Sequence, residues 1–113
     1  MNFKKAIFSI GLALMFVGCS SSPTSTIESF YDCIKKADIE CASEYATQET
    51  ITLLTMAQGM GGLKANPDLN IEILSEEIDG DYAKVVVSEN GKKSEPANLV
   101  KIDGDWKVQI KKR

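Results

Sequence analysis

The hydrophobic pattern of the 113-residue chain changes its period halfway along, and this change constrains the fold more than any other feature. Ile27, Phe30, Tyr31 and Ile34 recur at the spacing of one face of an amphipathic helix. In the second half, apolar residues alternate with polar ones, most cleanly at Trp106, Val108 and Ile110. Helices followed by strands predict an α+β domain, in which the helices cover the apolar face of an antiparallel sheet.

Polar residues with a preference for helix N-termini set the expected bounds of three helices. A capping box that starts at Ser25 predicts the first helix, which ends near Ala37. Asp38 is expected to cap a short second helix that runs through Ala46, and Thr47 to cap a third. Glycines then end the helical pattern.

Turn residues divide the second half into four strands. Ile73-Leu74 breaks the first alternating segment, which indicates a β-bulge. Asn90-Gly91 is a strong hairpin signal, and Pro96 predicts an irregular stretch before the last two strands. The expected fold is therefore a set of N-terminal helices packed on a curved four-stranded antiparallel meander sheet.

The first residues have the pattern of a secretion signal. Lys4 and Lys5 precede an apolar run over residues 6–18, which is shorter than the roughly 20 residues that span a bilayer. The segment that ends in Cys19 resembles a bacterial lipobox, with phenylalanine at the usual leucine position. This resemblance implies transfer of diacylglycerol to Cys19, cleavage before it, and acylation of the new N-terminus. The alternatives are an ordinary secretion signal or a short membrane anchor.

These patterns divide the chain into three parts. Residues 1–18 form the predicted lipoprotein signal peptide, residues 19–25 the lipidated cysteine and a flexible tether, and residues 26–113 one domain. By analogy with other bacterial lipoproteins, Ser20 favours sorting to the outer membrane, facing the periplasm, where the cell has one. The predicted location is therefore the cell envelope, with attachment to the membrane through lipid on Cys19.

Composition excludes several functional classes. The chain has no histidine, which excludes Ser-His-Asp and Cys-His catalytic sites. Loss of Lys4 and Lys5 with the signal changes the formal net charge from −3 to −5, and the only arginine is Arg113. We therefore expect no nucleic-acid partner. The Asp-Gly-Asp turns lack EF-hand spacing, so we expect no metal and no cofactor.

Cys33 and Cys41 remain once Cys19 is assigned to the lipid, and they flank the predicted turn between the first two helices. A tight helical hairpin brings two such positions within the Cα separation of a disulfide, and the envelope is oxidising. We predict a structural disulfide. A redox-active pair and two free thiols are the alternatives.

The order of elements and several motifs resemble a family of small bacterial lipoprotein domains of unknown function. The motifs are Phe30-Tyr31, Lys36-Ala37-Asp38, Ile78-Asp79-Gly80-Asp81-Tyr82-Ala83-Lys84-Val85 and Leu99-Val100-Lys101-Ile102-Asp103-Gly104-Asp105-Trp106-Lys107-Val108. That family belongs to the cone-shaped α+β superfamily of nuclear transport factor two, ketosteroid isomerase and scytalone dehydratase. The resemblance implies a cone-shaped cavity between helices and sheet, and it carries no catalytic residue onto this chain.

Five residues are candidates for a pocket or for a flap above it: Tyr31, Tyr45, Met56, Met60 and Trp106. The alternative is a purely structural role, in which the aromatic residues pack in the core and the glycine-methionine stretch only connects a helix to a strand. Asp32, Glu44 and Tyr82 are the further acid–base candidates.

Three functions remain open from the sequence. The first is a non-catalytic envelope lipoprotein that binds a small apolar ligand or an envelope protein. The second is a small isomerase- or dehydratase-like enzyme of the same cone fold. The third is a structural module that forms a homodimer through the exposed face of its sheet.

Overall fold

A computed structural model describes residues 22–110 of the chain. The predicted signal peptide, Cys19 and the first part of the tether lie outside the described residues. Within the described residues, the buried hydrophobic core extends from Ile27 to Val108. No helix in residues 22–110 is long and apolar enough to cross a membrane.

Helix α1 spans Pro23–Lys35 and begins earlier than the sequence analysis predicts. Ser22 is the N-cap, and its side chain forms a reciprocal capping box with Ser25. The predicted box starting at Ser25 is therefore wrong. The physical reason is Pro23, which suits the first turn of a helix because it has no N–H to leave unpaired. The helix thus takes in residues 23–25, which the sequence analysis placed in the tether.

Helix α2 spans only Ile39–Ala42, with Asp38 as its N-cap. The backbone N–H of Cys41 donates to the Asp38 Oδ1 at 3.1 Å, which confirms the predicted cap. The helix is shorter than expected because Ala46 pairs in parallel with Val108 at the edge of the sheet. Residues 43–44 therefore form a turn after α2, and the chain leaves the helical path before Ala46.

Helix α3 spans Gln48–Gly59, and its N-cap is Thr47, as predicted. The fully buried Thr50 joins this helix to the end of the sheet. Its hydroxyl donates to the Val108 carbonyl oxygen at 3.2 Å and accepts from the Ile110 N–H at 2.8 Å. The residues around Val108 are therefore held in place by α3.

The α+β architecture is confirmed, with three helices and one antiparallel sheet. The sheet consists of β1 (Ile71–Asp79), β2 (Tyr82–Glu89), β3 (Lys92–Lys93), β4 (Ala97–Ile102) and β5 (Asp105–Val108). The main order is β1-β2-β4-β5, which is the predicted four-stranded meander. The short β3 is an additional strand that pairs with the end of β2, so the sheet has five strands.

The predicted breaks in the sheet occur where the sequence placed them. The register of β1 against β2 shifts between Ile73 and Ser75, as expected for the predicted bulge. Asn90 and Gly91 both have positive φ, 53° and 86°, which is the backbone of a type I′ hairpin turn.

Alternation along β2 separates the two faces of the sheet. Ala83, Val85 and Val87 are buried beneath α1 on what we call the inner face. Tyr82 and Lys84 lie on the opposite, outer face, because successive side chains of a strand point to opposite sides. Leu99, Trp106 and Val108 complete the inner face from β4 and β5.

Candidate ligand pocket

A pocket of about 660 Å³ lies between α1 and the sheet. Its apolar wall consists of side chains from α1 and from the end of the sheet: Ile27, Phe30, Tyr31, Ala97, Val108 and Ile110. Its polar lining comes mainly from β2, β4 and the connection between β3 and β4. A volume of this size is within the usual range for small-molecule sites, and so is a mainly apolar wall with a few polar groups.

The pocket lies beside the interruption between β3 and β4. Pro96 has no backbone N–H, so it cannot continue the ladder along the edge of β2. Pairing with β2 ends on one side at Ser94, whose N–H donates to the Val87 carbonyl oxygen at 2.9 Å. It resumes at Ala97, which pairs with Val85. Residues 94–98 all line the pocket, so this break supplies one of its walls.

A hydrogen bond between Tyr31 and Glu89 joins the two sides of the pocket. The Tyr31 hydroxyl of α1 donates to the Glu89 Oε2 of β2 at 3.0 Å, and both side chains are half-buried. Burial, followed by the charge of Glu89 and the hydrogen bond to it, raises the pKa of Tyr31 above its ordinary value. Tyr31 therefore keeps its proton and presents a fixed donor to the carboxylate.

Glu89 is a pocket residue that was not predicted from the sequence, although a signal for it was present. Glu89 continues the spacing of Ala83, Val85 and Val87, and so has the parity of the buried face of β2. A charged residue on the buried face of a strand needs a hydrogen-bond or ion-pair partner, which makes Glu89 a candidate site residue. The acidic residues considered instead, Asp32 and Glu44, are exposed.

Of the five predicted pocket or flap residues, Tyr31 lines the pocket. Tyr45 and Trp106 line a separate, smaller cavity of about 200 Å³ near the start of β5. Trp106 is buried in the core, and the Lys101 ammonium lies 5.6 Å from its ring centroid. The structure therefore does not bring the three aromatic residues into one site.

Met56 lies on α3 and Met60 is the C-cap of that helix, and neither lines any of the three pockets described. Both are exposed, Met60 by 83%. The Gly61 N–H donates to Gln58 and the Gly62 N–H to Ala57, which closes the helix with a Schellman motif. In this structure the glycine-methionine stretch ends α3 and does not cover the pocket. A role for either methionine in ligand binding stays a prediction.

Cys33 and Cys41 form a disulfide that links α1 to α2, with a Cα–Cα distance of 5.5 Å. The turn between the two helices is tight, because the Cys33 carbonyl oxygen accepts hydrogen bonds from both Lys36 and Asp38. Within residues 22–110, no group of three or more His, Cys, Asp or Glu side chains is placed to hold a metal ion.

A second concavity, of about 640 Å³, lies mainly on the outer face of the sheet. Tyr82 and Val100 pair across β2 and β4 there, and Ile102 follows on the same face of β4. Tyr82 is 67% exposed and Ile102 45%. This face therefore shows apolar side chains that none of the helices covers.

Comparison with known proteins supports the fold. No family model matches the chain, and neither does any curated protein. Among solved structures, the chain is similar to a Campylobacter jejuni protein named as a candidate NTF2-like transpeptidase. The TM-score is 0.55 and the identity 23%, over 80% of this chain and 100% of that one. The described part of the chain thus has the NTF2-like fold, which is the fold of the cone-shaped superfamily that the sequence resembles.

Proposed function

We propose that this protein is a lipid-anchored lipoprotein of the bacterial cell envelope, whose NTF2-like domain binds a small, largely apolar ligand without catalysis. The observation that carries the binding function is the open pocket between α1 and the sheet, with its apolar wall and the Tyr31–Glu89 pair. The pattern of residues 1–19 supports the anchor.

The polar groups of the pocket favour binding over acid–base catalysis. The Tyr31 hydroxyl donates its hydrogen to Glu89, and its pKa is raised, so it is a poor proton donor to a reacting group near neutral pH. Glu89 and Tyr31 orient each other across the pocket. This arrangement suits the recognition of a ligand polar group at one end of an apolar cavity.

Replacement of Ala97 by phenylalanine is expected to block the pocket. Ala97 is half-buried on the inner face opposite Val85, and an aromatic ring there projects into the cavity. The neutral fluorophore N-phenyl-1-naphthylamine should bind the chain of residues 20–113 with a rise in emission. Ala97→Phe should weaken this binding by about tenfold or more, because the ring occupies ligand space.

Val86→Phe is the matched control for this experiment. Val86 lies on the outer face of β2 and lines none of the three pockets described. The control should bind the fluorophore like the unsubstituted chain, and circular dichroism should show that both variants are folded. Equal binding by Ala97→Phe and the unsubstituted chain contradicts the proposed site.

The exposed apolar side chains of the outer face favour a second candidate function, a homodimerising envelope module. In a dimer formed through this face, Tyr82 lies in the interface and Ile102 is covered. Tyr82→Lys should then weaken self-association, measured by sedimentation equilibrium, by roughly tenfold, because it places a charge at an apolar contact. A chain that sediments as a monomer at every concentration removes this candidate.

A further inference from the structure

One oxygen of the Glu89 carboxylate accepts a hydrogen bond from the protein, and the other accepts none within residues 22–110. Its Oε2 accepts the hydrogen bond from Tyr31. Within residues 22–110, Oε1 accepts no hydrogen bond and Glu89 forms no ion pair with a lysine. Since Glu89 is half-buried and lines the pocket, this free oxygen is a hydrogen-bond acceptor offered to a ligand.

In the described part of the chain, no positively charged side chain is paired with Glu89 inside the pocket. Lys92 lies opposite Glu89 in the hairpin, but it is exposed and does not line the pocket. Lys84 also lines the pocket, but from the outer face of β2, and it lies five residues away along the strand, which is about 17 Å at the usual rise. Glu95 adds a second carboxylate to the lining. The end of the pocket near Glu89 therefore favours positive charge.

Aromatic groups stand beside this carboxylate. Tyr31 and Phe30 both line the pocket, and their rings meet edge to face with centroids 5.9 Å apart. Aromatic rings attract organic cations through their quadrupole and also pack against apolar groups. The apolar wall continues from them to Ile27 and Val108.

We infer that the ligand of this pocket is an organic ammonium compound with an apolar body, an inference that rests on the proposed binding function. The ammonium group donates a hydrogen bond to the Glu89 Oε1, while Tyr31 holds Oε2 and so fixes the direction of the carboxylate. The apolar body lies along the wall formed by α1 and the end of the sheet.

Three probes that carry a phenyl group on a four-carbon chain and differ in head group test this inference: 4-phenylbutylammonium, 4-phenylbutanol and 4-phenylbutyrate. Each is titrated into isotope-labelled chain of residues 20–113, and the shifts of the backbone amide resonances give the site and the affinity. The ammonium probe should bind about tenfold more tightly than the alcohol, because its positive charge adds an attraction to the Glu89 carboxylate that the alcohol's hydrogen bond lacks. The carboxylate probe should bind more weakly than the alcohol, since Glu89 repels it.

Glu89→Gln should abolish the preference for the ammonium probe, so that the ammonium and the alcohol bind with affinities within about threefold of each other. Glu72→Gln is the control, because Glu72 is an exposed residue of β1 that lines none of the described pockets. This control should keep the full preference.

The outcomes separate the inference from the proposed function. If the alcohol binds in the pocket as tightly as the ammonium probe, or if the carboxylate binds most tightly, the inference is overturned and the binding function remains. If no probe shifts the resonances of pocket residues, both are overturned. The order of affinities of the three probes for the unsubstituted chain tests the ammonium preference even if Glu89→Gln fails to fold.

Discussion

Replacing Cys19 by alanine should abolish lipid attachment completely. In a bacterial host that processes lipoproteins, the full chain should incorporate a palmitate analogue and partition into the detergent phase. Its mature N-terminus should be Cys19, carrying acyl chains. Each buried methylene contributes about 0.8 kcal/mol, so two or three chains hold the protein on the membrane where one holds it only marginally. The Cys19→Ala chain has no thiol to receive the diacylglycerol and should carry no label.

The other two cysteines provide the control for this experiment. A Cys33→Ala, Cys41→Ala chain should keep the full palmitate label, because these residues are joined to each other within the domain. Detection of the label on Cys19→Ala, or an unlabelled starting protein, contradicts the anchor. In the second case the pattern of residues 1–18 is that of an ordinary secretion signal or a short membrane anchor.

Removal of the disulfide should give the largest loss of stability. The chain-entropy model assigns about 2.6 kcal/mol to closing the short loop between Cys33 and Cys41, whose sequence separation is 8. Cys33 is also buried at 1% exposure, so alanine there removes packing as well. For a domain of this size, the double alanine variant should unfold about 10–20 °C below the unsubstituted chain.

Chemical reduction separates the stability contributed by the disulfide from the stability contributed by packing of the cysteine side chains. A phosphine reductant should lower the melting temperature of the unsubstituted chain and have no effect on the Cys33→Ala, Cys41→Ala variant. Calorimetry with and without reductant measures both. An unchanged melting temperature of the unsubstituted chain after complete reduction contradicts a stabilising role for the bridge. This test does not depend on the ligand.

Local signals in the sequence predict the order of elements well. Asp38 and Thr47 cap helices where expected, because an N-cap acts over only a few residues. Asn90-Gly91 forms its hairpin for the same reason, since the positive φ values that such a turn needs suit these two residues. The predicted α+β fold follows from the two hydrophobic periods, and these are also local.

Contacts between distant residues explain what the sequence did not predict. The second helix stops early because Ala46 pairs with Val108, which is remote in sequence. The Tyr31–Glu89 hydrogen bond joins residues 58 positions apart, and it depends on how α1 crosses β2. The prediction of Tyr45 and Trp106 as pocket residues rests on residue type alone. Their positions in the fold depend on distant contacts, and these place them in a different cavity.

Native mass spectrometry of residues 20–113, exported to the periplasm without the lipid, tests ligand binding most directly. We expect the chain to retain a small molecule. The ligand-bound species should disappear when Ala97→Phe is exported in the same way, so that only the bare chain remains. A bare chain from the unsubstituted protein, after gentle purification from the compartment where the ligand is expected, contradicts the account. In that case a bare dimer supports the homodimerising module instead.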